Sequence, residues 1–510
     1  MSAKITCLAV VGVLSALRVP SAASVEPNPV PVAAGVKWGQ CVREDITEGV
    51  ECGTLTVPVD WSRPKSGTVD LRVFRLKASD GAAGSETAQA TTGAKPTMRA
   101  KGAILNFPSG PGESGDIAFA SLRKDLPAYD LVSFDPRGVG ESAPLTCPTD
   151  KVMKIPFVPP TDTASFNALR HNQKAFWAGC TTGDRRLDEH LDAYSTARDA
   201  EALRKALKLD KVNLYGMSYG TLMAERYLGL FGEHVNGAVL EGVMNPTQSR
   251  REFVTTAAAG TEAVFDRFRS WCAQDTGCAL HGKDVAALFR TAQRNADVGG
   301  IPGGDFMGQP WTAVSVTQYI DATARDSFKE AAQGLLALSE GRNPLPKPLE
   351  GKENGQGVIA ARGPAQAGEE TPETLSYTDP IVCSDFDIAV PNTNQARRDL
   401  AATRAVAPVT GYSTNASLYT SICLAGPKPA KDSSLPVTTR GANQVMLLSN
   451  THDSSTPAAW ANAVAAQLGK KAVHVVTDQV GHGGGMTDPD TLRKVTTYLD
   501  HLNPGAVSAP

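Results

Sequence analysis

Short apolar runs alternate with amphipathic stretches over most of this chain. Six runs have the length of buried strands, at residues 103–107, 131–134, 212–215, 238–241, 445–449 and 473–476. Continuous apolar strands of this kind are typical of a mostly parallel sheet that helices cover on both faces. Residues 195–208 carry a helical repeat, with Ser195 or Thr196 as the candidate N-cap. The pattern predicts an α/β fold, with this helix as the crossover into the strand at 212.

Two further stretches complete the predicted organisation. Residues 52–59 and 69–76 favour an antiparallel opening hairpin, and 78–101 favour an exposed loop. Between 247 and 438 the strand–helix rhythm stops, and helical stretches near 252–270, 284–294 and 317–339 precede a Gly/Pro-rich loop at 343–370. The sequence predicts a core formed by 24–246 and 439–510, with 247–438 inserted as a mainly helical lid.

The first residues have the pattern of an export signal. Lys4 precedes an apolar run from Ile5 to Leu17, and Ser21, Ala22 and Ala23 follow as a cleavage site. The run is too short to cross a bilayer, and no other long uncharged segment follows. We therefore expect residues 1–23 to be a signal peptide and 24–37 to be a possible pro-segment. The mature protein is expected to be secreted and not bound to a membrane.

Charge and cysteine content narrow the partners and the compartment. Loss of residues 1–23 changes the formal net charge from −3 to −5, which does not favour nucleic acid or an anionic membrane as a partner. Eight cysteines remain, and export permits disulfides. Many connectivities are open, and we expect pairing in chain order. The cysteines lack zinc-ligand spacing, so no metal is expected. The eight are Cys41, Cys52, Cys147, Cys180, Cys272, Cys278, Cys383 and Cys423.

The segment around Ser218 carries the strongest chemical signal. Gly216, Ser218 and Gly220 form a G-x-S-x-G between a predicted strand and a predicted helix, which is the context that a nucleophile elbow requires. Upstream, a glycine-rich loop at 108–115 follows another strand. Backbone N–H groups of Gly110 and Tyr219 are the candidate donors of an oxyanion hole.

Two later strands end in residues that can activate a serine. Asp453 follows one strand and His482 the next, which gives the chain order Ser, Asp, His of α/β-hydrolases. We predict His482 as the general base and Asp453 as the acid that orients it. Asp478 is the competing acid, and His452 is interpreted as a surface neighbour. Arg137, after a further strand, is interpreted as structural.

Together these motifs resemble the secreted tripeptidyl aminopeptidases of actinobacteria, a branch of the prolyl aminopeptidase family of serine peptidases. The resemblance covers roughly residues 38–500. It differs at Ser109, where the family commonly has the first Gly of Gly-Gly-Pro-Gly. The motifs are S-G-P-G-E-S-G (109–115), D-P-R-G-V-G-E-S (135–142), G-M-S-Y-G-T (216–221), C-S-D (383–385), D-S-S-T-P (453–457) and G-H-G-G (481–484).

The resemblance implies an α/β-hydrolase that releases short peptides from free N-termini of peptides or proteins. It also implies acidic lid residues that hold the substrate ammonium. Asp385 is the first candidate, because a disulfide at Cys383 would fix its backbone, and Glu241 is the second; Glu252 and Asp387 are weaker. The triad needs no cofactor. Two other hypotheses stay open, a secreted carboxyl esterase or lipase with the same triad and an inactive binding protein.

Overall fold

The computed structural model describes Val30 and residues 35–43, 45–79, 100–306, 308–345, 372–441 and 443–502. The predicted signal peptide lies outside these residues. So do most of the possible pro-segment, most of the loop at 78–101 and most of the loop at 343–370.

The described strands form one nine-stranded sheet and one two-stranded sheet. The large sheet has the order β1-β2-β3-β5-β4-β7-β8-β10-β11. β1, β2 and β3 are antiparallel to their neighbours, and the strands from β5 to β11 in this order are parallel. The prediction of a mostly parallel sheet is confirmed. The strands are β1 (Lys37–Gly39), β2 (Glu51–Pro58), β3 (Thr68–Leu76), β4 (Ala103–Phe107), β5 (Asp130–Phe134), β6 (Thr146–Pro148), β7 (Val212–Met217), β8 (Val235–Glu241), β9 (Thr374–Ser376), β10 (Val445–His452) and β11 (Ala472–Val480).

Helices cover both faces of the large sheet. One apolar face packs against α5, α6 and α13, and the other against α1 and α14. Neighbouring strand residues divide between the faces, as with Leu105 and Ile104, because successive side chains of a strand point in opposite directions. The helices are α1 (Phe119–Asp125), α2 (Thr149–Val152), α3 (Thr163–Gly179), α4 (Arg185–Asp188), α5 (Ala193–Ala206), α6 (Tyr219–Phe231), α7 (Arg250–Gln274), α8 (Val285–Asp297), α9 (Ala313–Asp326), α10 (Phe328–Ser339), α11 (Thr393–Val406), α12 (Thr414–Ile422), α13 (Ala458–Leu468) and α14 (Pro489–Leu502).

The stretch between β8 and β10 packs in two parts. We call α7 to α10 the helical bundle. Its apolar residues from Val264 onward form a core of their own, whereas Phe253, Val254 and Ala257 at the start of α7 belong to the core under the sheet. The later part instead contributes residues such as Ile381 and Leu418 to the core under the sheet. β9 also pairs with β6 in the small sheet. This part of the chain is therefore joined to the nine-stranded sheet by packing and to β6 by backbone hydrogen bonds.

Two helix boundaries differ from the prediction. The crossover helix α5 is capped by Asp192, whose side chain accepts the Ser195 N–H, so Ser195 and Thr196 lie inside the helix. The helix predicted over 317–339 is broken at Ser327, which ends α9 and whose side chain caps α10 by accepting the Glu330 N–H. In both cases a polar side chain satisfies the first backbone donors of the helix.

Four disulfides join the eight cysteines in chain order, as expected: Cys41–Cys52, Cys147–Cys180, Cys272–Cys278 and Cys383–Cys423. Within the described ranges, the helices are all too short or too polar to cross a bilayer.

Candidate active site

The candidate site lies where the parallel strands β7, β8, β10 and β11 end. Ser218 follows β7, Asp453 follows β10, and His482 follows β11. Because these strands are parallel, their carboxyl ends share one edge of the sheet. The topology thus brings together residues that are separated by up to 264 positions in the chain.

Ser218 stands at the turn between β7 and α6 in a strained conformation. Its φ of 54° and ψ of −124° lie outside the regions that L-residues prefer. Its N–H donates to the Glu241 carbonyl at 2.9 Å. A Cβ on Gly220 would lie 2.2 Å from the Phe107 carbonyl oxygen, so only glycine allows the helix to start this close to β4.

His482 and Asp453 are hydrogen-bonded to each other. The Nδ1 of His482 lies 2.9 Å from Oδ2 of Asp453, whose side chain is 1% exposed. Oδ1 of Asp453 accepts the N–H groups of Ser455 and Thr456 at 2.8 and 2.9 Å. Burial alone would raise the pKa of Asp453. The charge of His482 and the hydrogen bonds from His482 and Thr456 outweigh it and hold the pKa below its usual value.

The competing acid, Asp478, lies elsewhere. Its side chain is 76% exposed, and its Oδ1 is 3.4 Å from Nε2 of His452. The geometry places Asp453, and not Asp478, against His482.

Thr456 is a site residue that the sequence reasoning missed. Its hydroxyl lies 2.8 Å from Oδ2 of Asp453 and 3.1 Å from Nδ1 of His482, between the two side chains. The only sequence signal was its position in the D-S-S-T-P motif that contains Asp453.

The glycine-rich loop at 108–115 lies beside the start of α6. Gly110 and Gly112 both have φ of 113°, and a Cβ on Gly112 would lie 1.9 Å from Oγ1 of Thr378. Ser109, Gly112 and Tyr219 line one small cavity. The two candidate oxyanion donors are therefore on neighbouring segments, one in this loop and one in the first residue of α6.

Glu113 is a second residue that the sequence reasoning missed. Its Oε2 accepts the Ser109 N–H at 3.0 Å, which closes the glycine-rich loop. Burial raises the pKa of Glu113, while that hydrogen bond and the charge of His482 act in the opposite direction. Glu113 is thus a partly buried carboxyl group that interacts with the charge of His482.

In the structure, Asp385 and Glu241, the two expected partners of a substrate ammonium, are engaged by donors of the protein itself. Both oxygens of Asp385 accept the Ala193 N–H, and Oδ2 also accepts the Tyr219 hydroxyl. Glu241 accepts the Tyr215 hydroxyl at 2.7 Å and the Gly485 N–H. Both carboxylates are buried, and the oxygens of each accept hydrogen bonds from other parts of the protein. Through these bonds each carboxylate connects separate elements of the fold.

The two weaker ammonium candidates also have other environments. Glu252 forms the capping box of α7 with Ser249, and Asp387 is exposed. Arg137 forms a buried ion pair with Asp199 through two hydrogen bonds of 2.6 and 2.7 Å, in line with its structural interpretation. Within the described ranges, no three His, Cys, Asp or Glu side chains are grouped so that they could hold a metal ion.

Comparison with known proteins identifies the fold and the relatives of this chain. A family model described as an α/β-hydrolase fold matches residues 102–344, and one described as a TAP-like protein matches 407–506. The chain has the α/β-hydrolase fold. The predicted resemblance to tripeptidyl aminopeptidases is confirmed.

Three relatives show how far the similarity extends. The tripeptidyl aminopeptidase of Streptomyces lividans is 30% identical over 296 residues, which are 53% of this chain and 51% of that protein. Serine protease Hip1 of Mycobacterium tuberculosis is 31% identical over 265 residues, 49% and 47% of the two chains. The chain thus spans about half the length of these two relatives. Carboxylesterase B of Mycobacterium tuberculosis is 28% identical over 497 residues, 88% of this chain and 85% of that protein.

Proposed function

We propose that this protein is a serine peptidase in which Ser218 is the nucleophile, His482 the general base and Asp453 the acid that orients the imidazole. The observation that carries the proposal is the 2.9 Å contact between His482 and Asp453 at the sheet edge where the strained Ser218 turn also lies. His482 takes the Ser218 proton as Oγ attacks the carbonyl carbon, and then protonates the leaving amine. Water releases the acyl group by the same route.

The N–H groups of Gly110 and Tyr219 stabilise the oxyanion in this proposal. Tyr219 is the first residue of α6, and the first N–H groups of a helix have no partner within the helix. Their dipole favours a developing negative charge. The close approach of Gly220 to the end of β4 brings the Gly110 loop to the same place.

The substrates are free N-termini of peptides or proteins, from which short peptides, and specifically tripeptides, are released. The similarity to a tripeptidyl aminopeptidase supports this specificity. Both oxygens of Asp385 and both of Glu241 accept from protein donors, whereas the hydrogen bond from Ser109 engages only Oε2 of Glu113. Glu113 is therefore the carboxylate that we assign to the substrate ammonium. The four disulfides fit an oxidising compartment, which supports secretion after cleavage near Ala23.

Chromogenic peptides test the reaction and its direction. The wild type should cleave a tripeptide para-nitroanilide that has a free amine. Its kcat/KM for the N-acetylated form should be at least about 30-fold lower, because acetylation removes a desolvated ammonium–carboxylate contact. Ser218→Ala should lower kcat by roughly 10⁴-fold or more and abolish labelling by a fluorophosphonate. Equal cleavage of free and acetylated peptides would exclude the exopeptidase proposal, and labelling of Ser218→Ala would exclude Ser218.

Glu113→Gln tests the assignment of the ammonium contact. It should reduce kcat/KM for the free-amine peptide and leave a small neutral ester within a few-fold of wild type. Glu252→Gln, at an exposed helix cap, is the matched control. If Glu113→Gln slows both substrates equally, Glu113 only shapes the loop.

A carboxylesterase is the second candidate function, because the relative with that name matches over 88% of this chain. The same triad and oxyanion donors hydrolyse esters. The ratio of kcat/KM for the tripeptide para-nitroanilide to that for para-nitrophenyl butyrate separates the two functions, since an esterase should leave the anilide essentially uncleaved.

A further inference from the structure

The helical bundle contacts the loop that carries the proposed triad acid through two charged residues of α9. Asp321 and Arg325 are one turn apart on this helix. The Ser454 hydroxyl donates to Oδ2 of Asp321 at 3.0 Å, and Nη1 of Arg325 donates to the Ser455 hydroxyl at 2.8 Å. Nε of Arg325 lies 3.8 Å from the same Asp321 oxygen. One helix turn thus holds two consecutive serines.

Those two serines directly follow Asp453. The Ser455 N–H is one of the donors to Oδ1 of Asp453, at 2.8 Å. The end of α9 also reaches the histidine loop, because a Cβ on Gly481 would lie 3.5 Å from the Arg325 carbonyl oxygen. A shift of α9 would therefore displace both the loop that contains Asp453 and the loop that contains His482.

Burial makes this contact different from an ordinary surface ion pair. The Asp321 side chain is 10% exposed and that of Arg325 is 21% exposed. Burial raises the pKa of Asp321, and the charge of Arg325 and the bond from Ser454 oppose that effect. By comparison, the Asp266–Arg269 pair of α7 in the same bundle has both side chains nearly half exposed. The two charges of a partly buried pair interact more strongly because solvent screens them less, so the pair holds its neighbours more firmly.

We propose that Asp321 and Arg325 are positioning residues that hold the 453–456 loop, so that the alignment of Asp453 with His482 depends on how the helical bundle is seated. The inference rests on the proposed triad. It assigns to this part of the bundle a role in the chemical step, separate from any contact with a peptide substrate.

A double-mutant cycle on Arg325→Ala and Ser455→Ala tests the proposal. The substrate is para-nitrophenyl acetate, which is too small to need peptide contacts, and the rate of fluorophosphonate labelling is the second readout. Each single variant should lower kcat with KM little changed. The double variant should have about the same kcat as the less active of the two single variants. Its kcat should therefore exceed the value expected from multiplying the two single effects by at least about threefold. Arg325→Lys keeps a cationic donor and should therefore retain most of the wild-type kcat. The kcat of Asp321→Asn should lie between those of Arg325→Ala and the wild type.

Arg269→Ala is the matched control, because it removes an arginine from an exposed pair of the same bundle. It should leave kcat unchanged. Additive effects of Arg325→Ala and Ser455→Ala, an equal loss in Arg269→Ala, or a loss that appears in KM alone would each overturn the proposal. A loss of kcat that follows only the unfolded fraction, measured by urea unfolding of each variant, would also overturn it. Full labelling of Ser218→Ala would instead overturn the triad itself.

Discussion

At the scale of single residues, the position of a carboxylate decides its effect on the proposed reaction. Asp453→Asn should reduce kcat by roughly 10³ to 10⁴-fold, because an amide in this position favours the wrong imidazole tautomer. Asp478→Asn is the control, since that side chain is largely exposed, and it should stay within about twofold of wild type. Steady-state kinetics on one para-nitrophenyl ester compare the two. If Asp478→Asn is the more damaging change, the acid is assigned wrongly.

The sequence predicted residues whose neighbourhood is set by a local motif. Ser218 lies in a strand–turn–helix that its own flanking residues specify, so its conformation could be anticipated. Asp385 could not be placed in this way, because its partner Tyr219 lies 166 positions earlier in the chain. Glu241 likewise accepts from Gly485, which lies 244 positions later. The direction of a buried carboxylate depends on such distant donors.

At the scale of elements, apolar patterning located the strands and missed the polar side chains that end helices. β4 has the predicted bounds, 103–107, because all its residues are buried. The break at Ser327 escaped prediction, since the apolar repeat continues from α9 into α10 and one serine side chain separates them. The cap of α5 was misplaced because Ser195, Thr196 and Asp192 all suit a helix start.

Asp385 joins three elements and should make stability depend on pH. It lies beside the 3₁₀ turn Asp379–Ser384 and accepts from the first residues of α5 and α6. Burial, reinforced by the charge of Asp192, raises the pKa of Asp385 from 3.8 to about 7, against the bonds from Tyr219 and Ala193. The folded protein then binds this proton more tightly than the unfolded chain does, so stability falls as pH rises through this range.

Asp385→Asn should remove that dependence. We compare the free energy of unfolding of the wild type with that of Asp385→Asn. The difference, wild type minus variant, should decrease by at most ~4 kcal/mol as the pH rises from about 4 to 7, and should be constant above pH 7. Urea unfolding of both proteins at pH 4.5, 6 and 8 measures it, with Asp387→Asn, an exposed neighbour, as the control. A difference that does not vary with pH would contradict the raised pKa.

At the scale of the whole molecule, the described residues form an apolar core on each face of the large sheet and a separate core in the helical bundle. Apolar patterning anticipated that the bundle differs from the sheet region. It did not show that residues such as Ile381 and Leu418 return to the sheet core, because helix periodicity gives the buried face and not its partner. The predicted boundaries of the lid, 247 and 438, stay a prediction.

The core that includes Ile381 and Leu418 and the core of the helical bundle contain disulfides of very different loop length, which predicts unequal contributions to stability. Cys272–Cys278 closes a separation of 6 residues in the helical bundle, and Cys383–Cys423 closes one of 40 in the sheet core. In the chain-entropy description, a cross-link stabilises by restricting the unfolded chain, by ~2 kcal/mol for the shorter loop and ~4 kcal/mol for the longer. Replacing each pair by two alanines should therefore destabilise the Cys383–Cys423 variant more. Urea unfolding of both variants beside wild type, extrapolated to water, gives the comparison. A larger loss in the Cys272–Cys278 variant would mean that native-state packing in the bundle, and not loop entropy, sets the contribution of its disulfide.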